Sequence, residues 1–340
     1  GFLPGGLGVC VVGASMIFGG ISGSAIADSA AIGSVMIPNM AKQGYTRAFA
    51  AGLVASAGTI GIIIPPSIPM LVYGFVGNVS VAELFLAGFI PGAVFGLALM
   101  LVCYWVGRST GCDPGGKGAS AGEIWRSFIG CAPALLLPVI ILGGIFSGYV
   151  TPTEAAALAV VYGLIVTIVV YRDFHIRDLP KLLVDSFITS AVVMVVIGAT
   201  TVLAWLITLE QMPTLLVSFV QNMSDSPFMF LLLVNIVLLI LGLVLDPVPA
   251  ILLTAPLFIP TATAFGVDPV HLGVVMTCNL ALGLFTPPVG ATLYVASNIS
   301  GVGVLTIARA MAPLYLVSLI TLMLVTYIPT ISMSMVWLFR

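Results

Sequence analysis

Two consecutive prolines interrupt an apolar run where residues 61–67 read GIIIPPS. The same arrangement returns where residues 283–289 read GLFTPPV, at an offset of 222 residues (283 − 61). Proline has no backbone N–H and its ring clashes with the preceding helical turn, so each pair is expected to break its helix. In hydrocarbon, the backbone groups freed by such a break have no water to bond. The two motifs therefore predict two broken helices built in the same way.

The composition indicates a membrane protein. The 340-residue chain is 60% hydrophobic and only 6% charged, whereas soluble domains carry about 25% charged residues. Long apolar runs of about 20 residues are typical of transmembrane helices, and β-barrel strands would instead be short and alternating. Five cysteines are scattered without a CxxC motif, and no basic patch suggests nucleic acid. We predict an all-α, multi-pass membrane protein.

The proline motifs belong to a longer internal repeat. The same offset relates further residues without a gap: Ile37-Pro38 to Ile259-Pro260, Gly44 to Gly266, Leu71 to Leu293 and Pro91 to Pro313. Before each broken helix, two half-length apolar pieces flank a short tip, which predicts a re-entrant hairpin. The predicted first repeat covers 1–107, with a hairpin at 1–37, a broken helix at 48–76 and a span at 84–107. The second covers 227–340, with a hairpin at 227–259, a broken helix at 271–299 and a span at 310–336. Residues 108–226 are predicted to form connecting loops and scaffold spans.

The basic residues predict that the two copies are inverted. They concentrate near Lys42 and Arg47, in the loop 108–126 and in the charged segment 172–185, which the positive-inside rule places in the cytoplasm. The segments 210–226 and 260–270 contain no lysine or arginine and are predicted to lie outside. Five predicted crossings separate the two hairpins, so they open to opposite sides: 48–76, 84–107, 128–147, 153–171 and 186–208. Inverted repeats with broken helices are typical of secondary transporters and indicate where the ligand binds.

Each break is predicted to bind a cation through backbone oxygens. A helix that stops inside the membrane leaves carbonyl groups without helical donors, and unwound carbonyls of this kind coordinate Na⁺ in transporters, here at about two sites. In the first copy the predicted ligands are the carbonyls of Gly61, Ile64 and Pro66, closed by the hairpin tip from Gly20 to Ser24. In the second copy they are Gly283, Thr286 and Val289, closed by the tip from Gly242 to Asp246.

The half-helices that follow the breaks favour an anionic substrate, because a helix N-terminus carries partial positive charge. No buried arginine or lysine is expected to bind a carboxylate, so hydroxyls and helix ends must do so. The candidate substrate-binding residues are Ser22, Ser24, Asp28, Ser67 and Asp246. Asp28 contacts the cation site or the substrate, or it bonds the backbone at the start of its hairpin arm. The same two interpretations apply to Asp246.

Four other polar residues have less direct interpretations. Glu154, in the segment TPTE, is predicted to close a capping box at the start of a span. His271 is expected to be an interfacial residue, with a proton relay as the alternative. Ser56 and Thr59 either face the cavity or bond back to their own helix.

With these residues in view, the chain resembles the large membrane subunit of the TRAP (tripartite ATP-independent periplasmic) transporters, the DctM-like family. The matching segments are SMIFGGISGSAIAD at 15–28, IGIIIPPS at 60–67, TPTEAA at 151–156 and LGLFTPPVG at 282–290. The resemblance implies an elevator-type, Na⁺-driven importer in a bacterial inner membrane. It also implies two obligate partners, a periplasmic substrate-binding protein and a small four-helix membrane subunit.

The resemblance implies substrates that are organic acid anions, such as C4-dicarboxylates or sugar and keto acids. In the expected mechanism, the hairpins and broken helices move together against the scaffold spans 84–107, 128–171, 186–208 and 310–336. Family members normally carry further N-terminal scaffold helices, and the chain opens on Gly1 in apolar sequence. We therefore expect those helices to be missing here.

Three alternatives differ in mechanism. A stand-alone symporter for Na⁺ and divalent anions would share the fold but need no binding protein. An intramembrane aspartyl enzyme would pair Asp28 with Asp246 so that the two carboxyls share a proton, but it would give the doubled Pro-Pro breaks no purpose. A passive channel would transport without Na⁺. The sequence favours transport over catalysis, and no enzymatic activity is expected.

Overall fold

The computed structural model describes residues 4–112, 120–223 and 226–339, and within these ranges every regular element is helical. The helices are α1 Gly6–Ser22, α2 Ala25–Lys42, α3 Arg47–Gly58, α4 Ile68–Gly77, α5 Val81–Thr110, α6 Ala121–Phe146, α7 Pro152–Ile165, α8 Leu179–Leu209, α9 Met212–Met223, α10 Pro227–Gly242, α11 Pro247–Ala264, α12 Pro269–Gly283, α13 Ala291–Ser300, α14 Val304–Ala310, α15 Ala312–Tyr327 and α16 Pro329–Phe339. A 3₁₀ turn, Thr59–Ile62, extends α3, and a π-helical stretch, Val166–Tyr171, extends α7.

The prediction of a multi-pass membrane protein is confirmed. Five helices in the described ranges are long and apolar enough to cross a membrane, or up to seven if each of two bent helix pairs is one span. The first arm of each hairpin, α1 and α10, and the half-helices α3, α4 and α12 are apolar but shorter. α11 reaches the length of a full span although the sequence predicts it as a hairpin arm.

Two compact units divide the chain. The first combines Gly1–Gly118 with Ile207–Arg340, and the second is Ala119–Leu206, which holds α6, α7 and most of α8. Both predicted hairpins and both broken helices lie in the first unit. The spans predicted at 84–107 and 310–336 also lie there, since α5 packs against α1, α12, α15 and α16. The scaffold role of these two spans stays a prediction.

Corresponding elements recur at the offset of 222. The bounds of α2 and α11 differ by that number at both ends, and those of α4 and α13 differ by 223. Between its two halves, each broken helix contains a Pro-Pro pair, Pro65-Pro66 and Pro287-Pro288, and both peptide bonds are cis.

The hairpin arms are longer than predicted. α2 continues through Pro38 to Lys42, and α11 continues through Pro256 and Pro260 to Ala264. A single proline removes one backbone hydrogen bond, and membrane helices tolerate this when neighbouring groups satisfy the freed carbonyl. The predicted ends at 37 and 259 fell short because Pro38 and Pro260 were taken as helix terminators.

Three connecting regions also differ from the prediction. The predicted final span, 310–336, consists of α15 and most of α16, with a 53° bend between them at Pro329. The predicted loop 210–226 contains α9, and the charged segment 172–185 is partly the start of α8. In the predicted loop 108–126, residues 113–119 lie outside the described residues.

A tight glycine contact between α2 and α3 provides a test of this packing. A Cβ atom on Gly58 would lie 2.1 Å from Ser29 Oγ and 3.0 Å from the Ser29 backbone nitrogen. Gly58→Ala should therefore destabilise the protein by about 1–3 kcal/mol, as overpacking does, and lower its thermal unfolding midpoint in detergent. Gly198→Ala in α8 is the control, because no atom lies within 4 Å of its new Cβ. An unchanged midpoint for Gly58→Ala would contradict the α2–α3 contact.

Candidate functional site

The tip of the first hairpin lies directly on the first broken helix. A Cβ atom on Gly19 would lie 2.4 Å from Gly61 Cα, and one on Gly23 would lie 2.9 Å from the Pro66 carbonyl oxygen. Such an approach requires glycine, which has no side chain to separate the backbones. The contact is made by Gly19, next to the predicted Gly20, which is itself buried.

The second hairpin meets the second broken helix through an equivalent pair. A Cβ atom on Gly283 would lie 2.6 Å from the Gly242 carbonyl oxygen, and one on Gly242 would lie 3.3 Å from Gly283 Cα. Gly61 and Gly283 occupy corresponding positions in the two copies. In both copies, backbone from a hairpin and backbone from a break are therefore in contact, where the sequence places the cation ligands.

Hydroxyl groups satisfy some of the carbonyls at the breaks. The Ile62 carbonyl accepts a hydrogen bond from Ser67 Oγ. Its counterpart in the second copy, the Leu284 carbonyl, accepts from Thr292 Oγ1 at 2.9 Å and from the Thr292 N–H at 3.1 Å. Sequence reasoning missed Thr292, because the repeat places Met70 at the corresponding position.

The predicted cation ligands differ in accessibility. Gly20, Gly61, Gly242 and Gly283 are buried, Ile64, Pro66 and Thr286 are half-buried, and Val289 is 43% exposed. The Gly283 carbonyl accepts from the Thr286 N–H at 3.1 Å, which leaves it one lone pair. The Pro66 oxygen lies at the first hairpin tip and the Gly242 oxygen lies at the second break, and such backbone oxygens suit a hard cation better than a soft metal.

Asp28 is the least satisfied polar side chain near the breaks. It is 0% exposed, and neither carboxylate oxygen has a hydrogen-bond partner among the residues that the structure describes. Its Oδ2 lies 2.9 Å from where a Cβ on Gly61 would stand. Ser24, rather than Asp28, caps α2 by accepting from the Ala27 N–H at 3.4 Å. The Asp28 carboxyl therefore lies at the first break and makes no hydrogen bond to the backbone at the start of α2, which was one of the two interpretations of the sequence.

The other candidate substrate residues lie in different environments. Ser22 and Ser24 are half-buried at the first tip, where the Ser24 N–H donates to Ser22 Oγ at 3.3 Å. Ser67 is buried and caps α4, so its hydroxyl is engaged with backbone on both sides. Asp246 is exposed at the start of α11 and makes no capping bond. The structure thus brings Asp28 and Ser67 to one break and leaves Asp246 open at the other hairpin.

Of the remaining polar residues, three follow their structural interpretations. Glu154 forms the predicted capping box with Thr151. Ser56 and Thr59 donate only to carbonyls of their own helix. Every lysine and arginine in the described ranges is exposed, as predicted.

The side chain of His271 is buried within the protein. It is 2% exposed, with Nδ1 2.7 Å from Ser332 Oγ and Nε2 3.1 Å from the Thr326 carbonyl oxygen. The bend at Pro329 brings α16 onto α12 and covers the ring. Beyond Thr326 lie two buried asparagines, Asn235 and Asn279, that sequence reasoning missed.

Comparison with known proteins identifies relatives of this chain. Residues 1–331 match the family model of the DctM component of the tripartite ATP-independent periplasmic transporter. The C4-dicarboxylate TRAP transporter large permease protein DctM of Pseudomonas aeruginosa is 45% identical over 335 residues, covering 98% of this chain and 78% of the relative.

Two further relatives have different named substrates. The sialic acid TRAP transporter large permease protein SiaM of Vibrio cholerae is 40% identical over 339 residues, covering 100% of this chain and 79% of that protein. The isethionate TRAP transporter permease protein DctMQ of Oleidesulfovibrio alaskensis is 39% identical over 333 residues, or 98% of this chain. The chain spans 52% of that last relative.

The environment of Asp28 yields a prediction about stability. A buried carboxyl without a hydrogen-bond partner destabilises the fold, and a bound cation would remove that penalty. Asp28→Asn should therefore be at least as stable as the parent in Na⁺-free buffer, and should lose most of the rise in thermal midpoint that Na⁺ gives the parent.

The control for this experiment is Asp185→Asn, at an exposed position of α8. It should retain the full response to Na⁺, with K⁺ at equal ionic strength as the reference. If Asp28→Asn gained as much stability from Na⁺ as the parent, Asp28 would have no part in cation binding.

Proposed function

Because the chain belongs to the DctM family of tripartite ATP-independent periplasmic transporters, we propose that it is the large membrane subunit of a Na⁺-coupled importer of organic acid anions. The observation that carries this proposal is the pair of glycine contacts, Gly19 on Gly61 and Gly242 on Gly283. Each joins a hairpin to a broken helix, backbone against backbone, at the break where the cation ligands are predicted. The proposed activity is transport, without a catalytic step.

The proposed coupling to a cation follows from the backbone carbonyl groups at the two helix breaks. Backbone carbonyls at membrane depth are tolerated where they bind an ion or line a cavity. In the first copy, the carbonyls of Gly61, Ile64 and Pro66 together with Asp28 hold one Na⁺; in the second, those of Gly283, Thr286 and Val289 hold another. Bound Na⁺ keeps each hairpin tip against its broken helix.

The substrate is proposed to be an organic acid anion. The named relatives carry C4-dicarboxylate, sialic acid and isethionate, which share an acidic group. In this chain, the N-termini of α4 and α13 follow the two breaks and favour negative charge. The helix ends, the tip hydroxyls and the bound Na⁺ balance that charge. Substrate candidates remain Ser22, Ser24, Asp28, Ser67 and Asp246.

The transport movement is proposed to be of the elevator type, between inverted repeats. The matching bounds of α2 and α11 support the repeat. Five crossings lie between the hairpins, namely the broken helix α3–α4 and the spans α5, α6, α7 and α8, and an odd number inverts the second copy. Because α5 and α15 both pack against α12 of the second broken helix, they are proposed to move together with the hairpins and broken helices. Ala119–Leu206 then supplies the fixed part within this chain.

Two partners complete the proposed transporter, which we place in a bacterial inner membrane. A periplasmic substrate-binding protein delivers the anion, and a small four-helix membrane subunit joins the large subunit. A stand-alone symporter would transport without the binding protein. Omitting that protein from the assay therefore separates the two functions.

The proposal predicts Na⁺-dependent uptake that requires both glycine contacts. Proteoliposomes containing the large and small subunits, with the binding protein added, should accumulate a radiolabelled C4-dicarboxylate only under an inward Na⁺ gradient. Gly61→Ala and Gly283→Ala should each reduce the initial rate by about tenfold or more, because the new Cβ overpacks the hairpin contact.

The control variant is Gly198→Ala, which should retain the parental rate because its new Cβ meets no atom. Uptake that continued after Na⁺ was replaced by K⁺ would overturn the coupling. Uptake without the binding protein would favour the stand-alone symporter. A C4-dicarboxylate that is not transported, alongside a transported sugar acid or sulfonate, would revise only the substrate.

A further inference from the structure

A buried polar chain crosses the second half of the protein. His271 on α12 bonds to Ser332 on α16 and to the Thr326 carbonyl on α15. Thr326 Oγ1 accepts from Asn235 Nδ2 on α10 at 3.1 Å. All members are at most 2% exposed, and the chain ends at Asn279 on α12. Buried polar groups in an apolar core are costly unless paired, so this arrangement fixes the packing of four helices.

The hydrogen-bond partners favour one orientation of the Asn279 side-chain amide, in which its Oδ1 has no hydrogen-bond partner among the described residues. Asn279 Nδ2 donates to the Asn235 backbone oxygen at 3.0 Å and to Asn235 Oδ1 at 2.7 Å. The amide nitrogen of Asn235 uses its own two hydrogens on Leu231 O and Thr326 Oγ1. If the Asn279 amide were reversed, its oxygen would face two acceptors, so the hydrogen-bond count sets the orientation.

This asparagine pair lies on the helices that form the second glycine contact. Asn235 is seven residues, or two turns, before Gly242 on α10, and Asn279 is four residues, or one turn, before Gly283 on α12. The spacing places each asparagine on the same face of its helix as its glycine. The glycine contact lets the backbones approach closely but contains no side chain that prevents sliding. The amides fix the register of α10 against α12.

The first copy has no equivalent pair. The offset of 222 places Gly13 and Ala57 at the positions of Asn235 and Asn279, and neither has a polar side chain. The two copies therefore hold their hairpins differently. In the first copy, the additional polar group at the break is the carboxyl of Asp28. In the second copy, it is the side-chain hydrogen bond between Asn235 and Asn279.

We propose that Asn235 and Asn279 are positioning residues that set the Na⁺ affinity of the second break by fixing Gly242 against Gly283. This inference rests on the proposed Na⁺ coupling. Neither asparagine is assigned as a ligand. Because the ion would be shared between two helices, a loss of register weakens binding without removing any ligand atom.

The test measures the Na⁺ dependence of uptake in the assembled transporter. Asn279→Ala should raise the half-saturating Na⁺ concentration by about five- to tenfold, the effect of losing a buried hydrogen-bonded contact. The maximal rate at saturating Na⁺ should stay within about twofold of the parent. A structural defect alone would lower the rate equally at every Na⁺ concentration. If Asn279→Ala does not fold, Asn279→Ser keeps a small polar group and should shift the Na⁺ dependence in the same direction.

Two controls complete the test. Thr277→Val removes a buried hydroxyl on α12 that bonds only its own helix, through the Gly273 carbonyl, and should leave the Na⁺ dependence unchanged. The Asn235→Ala and Asn279→Ala double variant should shift it much less than the sum of the single shifts, because the two residues form one contact.

The inference and the function it rests on fail separately. If uptake by the parent protein does not depend on Na⁺, the proposed Na⁺ coupling is wrong, and so is the role of the asparagines. Parental uptake that needs Na⁺, combined with an unchanged half-saturating concentration in Asn279→Ala, overturns only the positioning role.

Discussion

A broken helix within a membrane must find partners for its freed backbone groups, and the rest of this structure depends on that constraint. The two Pro-Pro pairs create the breaks, and the hairpin tips bring a second backbone against them through Gly19 and Gly242. Hydroxyls of Ser67 and Thr292 satisfy the corresponding carbonyls of Ile62 and Leu284. Carbonyl oxygens without a hydrogen-bond donor at such a contact suit reversible binding of an ion. A coupled transporter requires such reversible binding.

The two copies meet this constraint with different side chains. The first places a fully buried carboxyl, Asp28, against Gly61. The second has an exposed Asp246 and a buried amide pair two turns below the tip. Backbone geometry therefore repeats more faithfully than side-chain chemistry. This difference gives the two proposed cation sites unequal environments, so an ion need not bind both with equal affinity.

The sequence predicts the breaks and hairpins because proline and glycine act locally and recur at one offset. It does not predict the contact between Asn235 and Asn279, which are 44 residues apart in apolar runs and have no counterparts in the first repeat. The packing partners of α5 and α15 were not predicted for a related reason: hydropathy predicts that a helix spans but not which helix it packs against. The burial of His271 was not predicted because the bend at Pro329, which brings α16 over it, was taken as part of one straight span.

Hydrogen exchange of the transporter in lipid nanodiscs tests most directly whether cations hold the hairpin tips against the breaks. The amides at 19–29, 59–70, 242–250 and 283–292 would be followed in Na⁺ and in K⁺ at equal ionic strength. Exchange should be slower in Na⁺ than in K⁺ at both tips and both breaks, and should not change in α6 and α7. Equal exchange in the two salts, at either copy, would contradict a cation at that break.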